Sequence, residues 1–221
     1  MSKKLMTGLL ALVALAAMAL PAVASASPEL TQPTGTTVAV GSKITAVNIG
    51  DTLMTDTNTN VITRCSTAEL SGELNKNSGT AIEGSVTTAS FTGTGSEGNC
   101  TGTFFSSPKV TPGVANGLPW CVRATSAMNA NEGQIRGGKC SEPAREIRFA
   151  LDLGSITCLY KSEGALKGTL TTDLSPSNTD AIVHIDHQLF KPVSVPFPCP
   201  EEGLLDMSFT LSVNGSAAYF S

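Results

Sequence analysis

The chain has few aromatic residues, 5% of 221, few charges, 14%, two histidines and a single tryptophan. It contains no C-x-x-C pair, no G-x-S-x-G elbow, no H-E-x-x-H, no Walker-type glycine loop and no calcium-loop pattern. Each absence withdraws a class: zinc ribbons, α/β-hydrolases, zinc proteases, P-loop nucleotide binders and EF-hands lose their signal. No cofactor or metal motif replaces them. After Leu20 no apolar run approaches the roughly 20 residues that a membrane-spanning helix needs.

What is present points to export. Lys3 and Lys4 precede an apolar run from Leu5 to Leu20, followed by Pro21 and small residues with A-x-A sites at 22–24 and 24–26. This is the three-part pattern of a secretory signal peptide over residues 1–26, whose removal leaves one domain, 27–221, with no membrane span. Cleavage removes Lys3 and Lys4 and leaves 12 basic against 18 acidic residues, a balance that argues against general nucleic-acid binding. The six cysteines, Cys65, Cys100, Cys121, Cys140, Cys158 and Cys199, are an even set in an exported chain and read as three disulfides.

Periodicity predicts strands throughout. In residues 146–153, Ile147, Phe149, Leu151 and Leu153 alternate with Glu146, Arg148, Ala150 and Asp152. In residues 204–213, Leu205, Met207, Phe209, Leu211 and Val213 alternate with Asp206, Ser208, Thr210 and Ser212. Turn clusters such as Asn77-Ser78-Gly79, Gly137-Gly138 and Asn214-Gly215 separate such runs. The expected fold is all-β: an antiparallel two-sheet sandwich or a partly closed barrel, stapled by disulfides. Residues 27–37, rich in Pro, Thr and Gly, read as a loose leader to a first strand near 38–49.

Two blocks, about 61–106 and 154–213, share spacing, and each starts its second strand with Ala-Ile, at Ala81 and Ala181. A repeat would pair Cys65 with Cys100 and Cys158 with Cys199, leaving Cys121 with Cys140. Chance likeness between Thr/Ser-rich strands gives the same pattern, and six cysteines allow 15 pairings, so this connectivity rests on the repeat alone.

The segment IVHIDHQLF, residues 182–190, holds both histidines. In a regular strand His184 and Asp186 share one face, while His187 points the other way with Val183, Ile185 and Leu189, as a core or interface histidine. The two imidazoles then cannot chelate one metal unless the strand is bulged, so no metal or catalytic site is expected here.

Charge is uneven. Residues 27–105 carry a net −4, residues 106–150 +3 and residues 151–221 −5. The basic connector 106–150 also holds Trp120. Its candidate ligand-binding residues are Trp120, Arg123, Arg136, Lys139, Arg145 and Arg148, with the loop 126–139 as a flexible rim. Such a surface would steer an anionic envelope polymer or an acidic protein toward itself. The competing reading is a buried tryptophan near a disulfide and cations that solvate an ordinary loop.

The LPWC run at 118–121, TCLYKSEG at 157–164 with the later Phe-Pro-Cys-Pro at 197–200, and the closing VNGSAAYFS resemble an uncharacterised family of secreted, cysteine-paired β proteins from soil actinobacteria. The resemblance implies export, disulfides and an all-β fold, and it carries no catalytic residues. Together these readings lead to a secreted or envelope-associated, non-catalytic binding or structural module. One alternative is a secreted hydrolase whose carboxylates, such as Asp186 and Glu201, meet only in the fold. Another is a secreted inhibitor acting through an exposed loop.

Overall fold

A computed structural model of the chain describes residues 28–103, 107–112, 117–128, 131–175, 178–193 and 198–220. The expected signal peptide, residues 1–26, and residues 129–130 of the expected rim lie outside these. Among the described residues there is no α-helix, and the only helical turn is a 3₁₀ turn at Ser96–Gly98.

The alternation along residues 203–213 is realised as predicted: Met207, Phe209 and Val213 are buried, while the polar set faces outward. That strand is one of eight that close a barrel. In barrel order they are β2 (Lys43–Asn48), β5 (Thr67–Ser78), β6 (Ala81–Thr92), β8 (Trp120–Thr125), β9 (Glu132–Gly137), β12 (Leu166–Ser175), β13 (Asn178–Pro192) and β14 (Gly203–Val213). All contacts are antiparallel, and β14 pairs both β13 and β2, which completes the ring. Closure leaves no free edge in the wall. Most aliphatic residues of the wall point inward, Val47 being an exception, while Thr45, Glu69, Thr88 and Lys167 point outward. A barrel facing lipid has the reverse arrangement.

Two long partners, β13 and β14, leave the barrel together. At their far ends Gln188–Phe190 of β13 stay paired with Gly203–Leu205 of β14, but each strand takes a new neighbour. β13 leaves β12 for β11 (Thr157–Ser162), which pairs β10 (Arg148–Asp152) and then β7 (Lys109–Pro112). β14 leaves β2 for β3 (Thr52–Thr55), which pairs β4 (Val61–Cys65). The exchange occurs at a β-bulge, where the ladder jumps from Ile185 to Gln188 on β13 opposite Met207 to Leu205 on β14. An extra residue bends a strand and sharpens its twist, which lets one pair of strands serve a barrel and a flanking sheet.

Between that flanking sheet and the barrel end lies an aromatic core. Phe149 lies 5.8 Å from Tyr160 and 4.8 Å from Phe190, ring centre to ring centre, and Trp120, Met54 and Ile62 are buried with them. The opposite mouth is closed by the short pair β1 (Leu30–Thr31) and β16 (Tyr219–Phe220), over Leu74, Ile82, Ala181 and Val213. The disulfides are Cys65–Cys100, Cys121–Cys140 and Cys158–Cys199, the connectivity that the repeat suggests.

Three expectations change. The leader is structured: Leu30 is buried and β1 is part of a lid, because one leucine suffices to anchor it over the mouth. Within the supposed rim, residues 132–137 form β9, a barrel stave hydrogen-bonded to β8 and β12. Its pattern is hard to see in sequence because Gly133 and Gly137 occupy two of its three inward positions and only Ile135 is large. The connector as a whole therefore supplies barrel wall and flanking sheet, through β7, β8, β9 and β10.

Candidate functional site

The six candidate residues of the basic connector do not form one exposed surface. Trp120 faces inward on β8, opposite Val86 and Gly137, and is buried in the aromatic core. Arg136 faces outward on β9 beside Cys121, yet it is only 9% exposed, and its guanidinium donates to the Cys140 carbonyl at 2.7 Å. It fixes the loop that the Cys121–Cys140 bridge closes. Arg145 faces Glu142 at 3.6 Å, and its backbone bridges Gly137. Arg148 lies apart, on β10, and donates to Glu146 at 2.7 Å. That hydrogen bond holds the Glu146 carboxyl below the usual carboxylate range. Lys139 is exposed, and Arg123, half-buried, stands between Glu83 and Gln134. Trp120 and Arg136 are thus interior supports, because a contact surface must be reachable.

The histidine strand departs from its expected geometry. The bulge places Asp186 and His187 together opposite Asp206, and His187 adopts φ +48°. Its side chain is 77% exposed and points outward, so it is not a core histidine. The condition that would let the strand gather polar groups, a bulge, is met. Among the described residues, however, no three His, Cys, Asp or Glu side chains are placed to hold a metal ion.

What the bulge builds instead is an open polar groove of about 350 Å³ on the outer wall of β9, β12 and β13. Its floor is Gly168 and Thr169, and its sides are Asn131, Glu132, Lys167, His184, Asp186 and Gln188. Register explains the assembly: Thr169 pairs Glu132 on one side and His184 on the other, so the outward residues of three adjacent strands converge. Several of these groups are fixed. The Gln188 amide accepts from the Lys167 backbone N–H at 3.0 Å and donates to the Asp186 carbonyl at 2.8 Å. His184 Nδ1 shares a hydrogen bond of 2.8 Å with the Ser208 hydroxyl. Sequence reasoning singled out His184 and Asp186 but missed Glu132, Lys167 and Gln188, which share no motif and meet only through strand register.

The suggested pair Asp186 and Glu201 does not meet. Gly203 pairs Phe190, four residues or ~13 Å along β13 from Asp186, and Glu201 lies two residues beyond Gly203, so the register does not bring the two residues opposite each other. Glu132 and Asp186 do line one groove: Glu132 is level with His184, two strand spacings away, and Asp186 lies two residues further along β13, roughly 12 Å from Glu132 at the backbone.

A second space lies inside the barrel. It is an apolar cavity of about 100 Å³, bordered by Leu70, Val86, Ile135, Val183 and Phe209 and, at its mouth, by Leu30 and Phe220. A void of that size in a packed core costs about 2 kcal/mol. Comparison of the chain with protein-family models, with curated proteins and with solved structures finds no significant match in any of the three.

Proposed function

We propose that the protein is an exported, non-catalytic binding module of the cell envelope or its surroundings, with its ligand seated in the groove on β9, β12 and β13. The observation that carries this reading is the double use of the Gln188 amide, which ties β12 to the bulge and so holds the groove's donors and acceptors in place before any ligand arrives. Amides, carboxylates, an imidazole and a lysine around a glycine floor suit a partner rich in hydroxyl groups, which both donate and accept. An envelope polysaccharide has that chemistry. If the polymer is anionic, Lys167 in the groove and Arg123 and Lys139 on the neighbouring wall supply the cations; an acidic protein surface would use the same three. Three disulfides are consistent with an extracellular location, and they support export together with the N-terminal pattern. Kinship with the secreted, cysteine-paired proteins of soil actinobacteria is proposed on the same footing.

The experiment is co-sedimentation with purified envelope polysaccharides at two salt concentrations, for the native protein, for Asp186→Ala with Gln188→Ala, and for Arg123→Glu with Lys139→Glu. Loss of binding in the groove variant alone supports a hydroxyl-reading groove. Loss in the charge-reversal variant, with strong salt dependence, places an anionic partner on the basic wall. Retention in both removes the reading.

One observation favours a second reading, hydrolysis of a glycoside. Glu132 and Asp186 line the same groove from strands two places apart, two carboxylates across one cleft as glycosidases use them. Release of reducing ends from a bound polysaccharide, abolished by Glu132→Gln, would establish it.

A further inference from the structure

We propose that the barrel lumen is a second binding site, for a single unbranched alkyl chain that enters beneath the β1–β16 lid. This site is separate from the groove and stands whether or not the groove binds a polymer.

The lumen offers an alkyl chain a suitable wall. Its inward side chains are aliphatic apart from Phe209 and Phe220, and four of the eight staves carry glycine there: Gly72, Gly84, Gly133 and Gly168. Small residues widen the interior of an eight-stranded barrel, which is otherwise just filled by its own side chains. The closed void of about 100 Å³ is smaller than the ~150 Å³ cavity that holds benzene, so an alkyl chain of more than a few methylenes needs the space beneath the lid as well. No charged group is needed inside, because the two charged residues that border the void, Glu73 and Arg123, occupy outward positions of β5 and β8.

The mouth is closed by a removable part. β1 and β16 are two residues each, come from the two ends of the described chain, and pair with each other, while Thr31 of β1 also bridges Thr37. A side chain latches each strand to the barrel, and the chain leading into β16 is also held there by β15 (Ser216–Ala217), which pairs β14, and by the Ala181 N–H, which donates to the Ala218 carbonyl. Asn77, at the end of β5, accepts from Leu30 N at 2.8 Å and donates to the Leu30 and Val38 carbonyls at 2.7 and 2.9 Å. On the other side of the mouth, the Thr172 hydroxyl of β12 donates to the Phe220 carbonyl at 3.0 Å and lies 3.1 Å from its N–H. Leu30 and Phe220 border the void, so lifting the lid adds the space of both side chains and brings the lumen toward the ~300 Å³ at which ligand pockets begin. Elements with so few contacts open more readily than the wall they cover.

The test is methyl NMR of the disulfide-bonded chain titrated with decanoate. The expected result is intermolecular contacts from the alkyl chain to Val86, Ile135, Val183 and Ile185, with no shift of the Thr169 methyl in the groove. Ala124→Leu, which fills the lumen, should weaken binding at least tenfold; Ala124→Val serves if the larger residue prevents folding. Asn77→Ala, which loosens the lid without touching the lining, should speed association. Contacts confined to the outer surface, or full affinity in both filling variants, overturn the proposal.

Discussion

Asp206 Oδ1 accepts the His187 amide at 2.7 Å and lies 3.1 Å from His187 Nδ1, so one carboxylate holds the bulged residue of β13 in place. This contact sits where both strands exchange the barrel for the flanking sheet, and it sets the direction of Asp186 and Gln188 in the groove. Residues other than glycine lose about 1–2 kcal/mol in the left-handed region, and His187, at φ +48°, is in it. His187→Gly relieves that strain and keeps the backbone N–H, while adding unfolded-state entropy worth ~0.5–1 kcal/mol. Stability within about 1 kcal/mol of the native chain is expected. His187→Val should cost more than 1 kcal/mol, because a β-branched side chain fits this region worst. Thermal denaturation of the two variants checks the order; equal midpoints would mean the bulge is not strained.

The glycines of the wall give a sharper contrast. A Cβ on Gly72 would lie 1.7 Å from the Ser85 carbonyl oxygen and 2.9 Å from Val86 Cα, both backbone atoms that cannot step aside. Gly72 sits at a register shift between β5 and β6. Gly72→Ala is expected to cost more than 3 kcal/mol, at the upper end of overpacking effects. Gly98→Ala meets no atom within 4 Å, and its φ of +76° limits the cost to about 1–2 kcal/mol. Chemical denaturation that ranked Gly98→Ala as the worse of the two would contradict the wall geometry.

How far the sequence could be read follows from the same residues. The alternation from Leu205 to Val213 survives because each inward residue is large and apolar. The cysteine pairing is legible because the hairpins β5–β6 and β12–β13 stand in similar places between their bridges. The alternation of residues 182–189 gives no warning of the bulge, since Ile185 and Leu189 keep the parity of an unbroken strand. Only Asp206, distant in sequence, reveals it. β9 was hidden by glycine at inward positions, and β1 by being two residues long. The groove required the register of three strands that no local pattern encodes.

The disulfides should differ in weight. Cys65–Cys100, Cys121–Cys140 and Cys158–Cys199 span 35, 19 and 41 residues. In the chain-entropy model each contributes about 3 to 4 kcal/mol, and the longest exceeds the shortest by roughly 0.7 kcal/mol. Paired Cys→Ala replacements, compared by urea denaturation, should rank Cys121–Cys140 as the least costly to remove. Alkylation without reductant should label no cysteine in the native chain. The reverse ranking would show that native contacts, such as Arg136 against the Cys140 carbonyl, outweigh loop length.

Alkaline pH should expose the aromatic core. Tyr160 is buried beside Phe149, and its hydroxyl donates to the Pro200 carbonyl at 2.9 Å. Burial pushes its phenol well above the ordinary value of 10.0, because the phenolate would lose its water there. The folded chain therefore keeps this proton at pH values where the unfolded chain releases it. The unfolded state then binds fewer protons, and stability falls as pH rises. The contribution is intact below about pH 10 and declines above it by up to ~1.4 kcal/mol per pH unit until the folded phenol itself ionises. Tyr160→Phe removes the titrating group. At neutral pH the variant should be about 1 kcal/mol less stable, for want of the hydrogen bond to Pro200. Between pH 10 and 12 its stability should fall less steeply than that of the native chain, so the two curves converge. Parallel curves over that range, measured by urea denaturation with Tyr219 present in both proteins, would assign the alkaline transition to other groups.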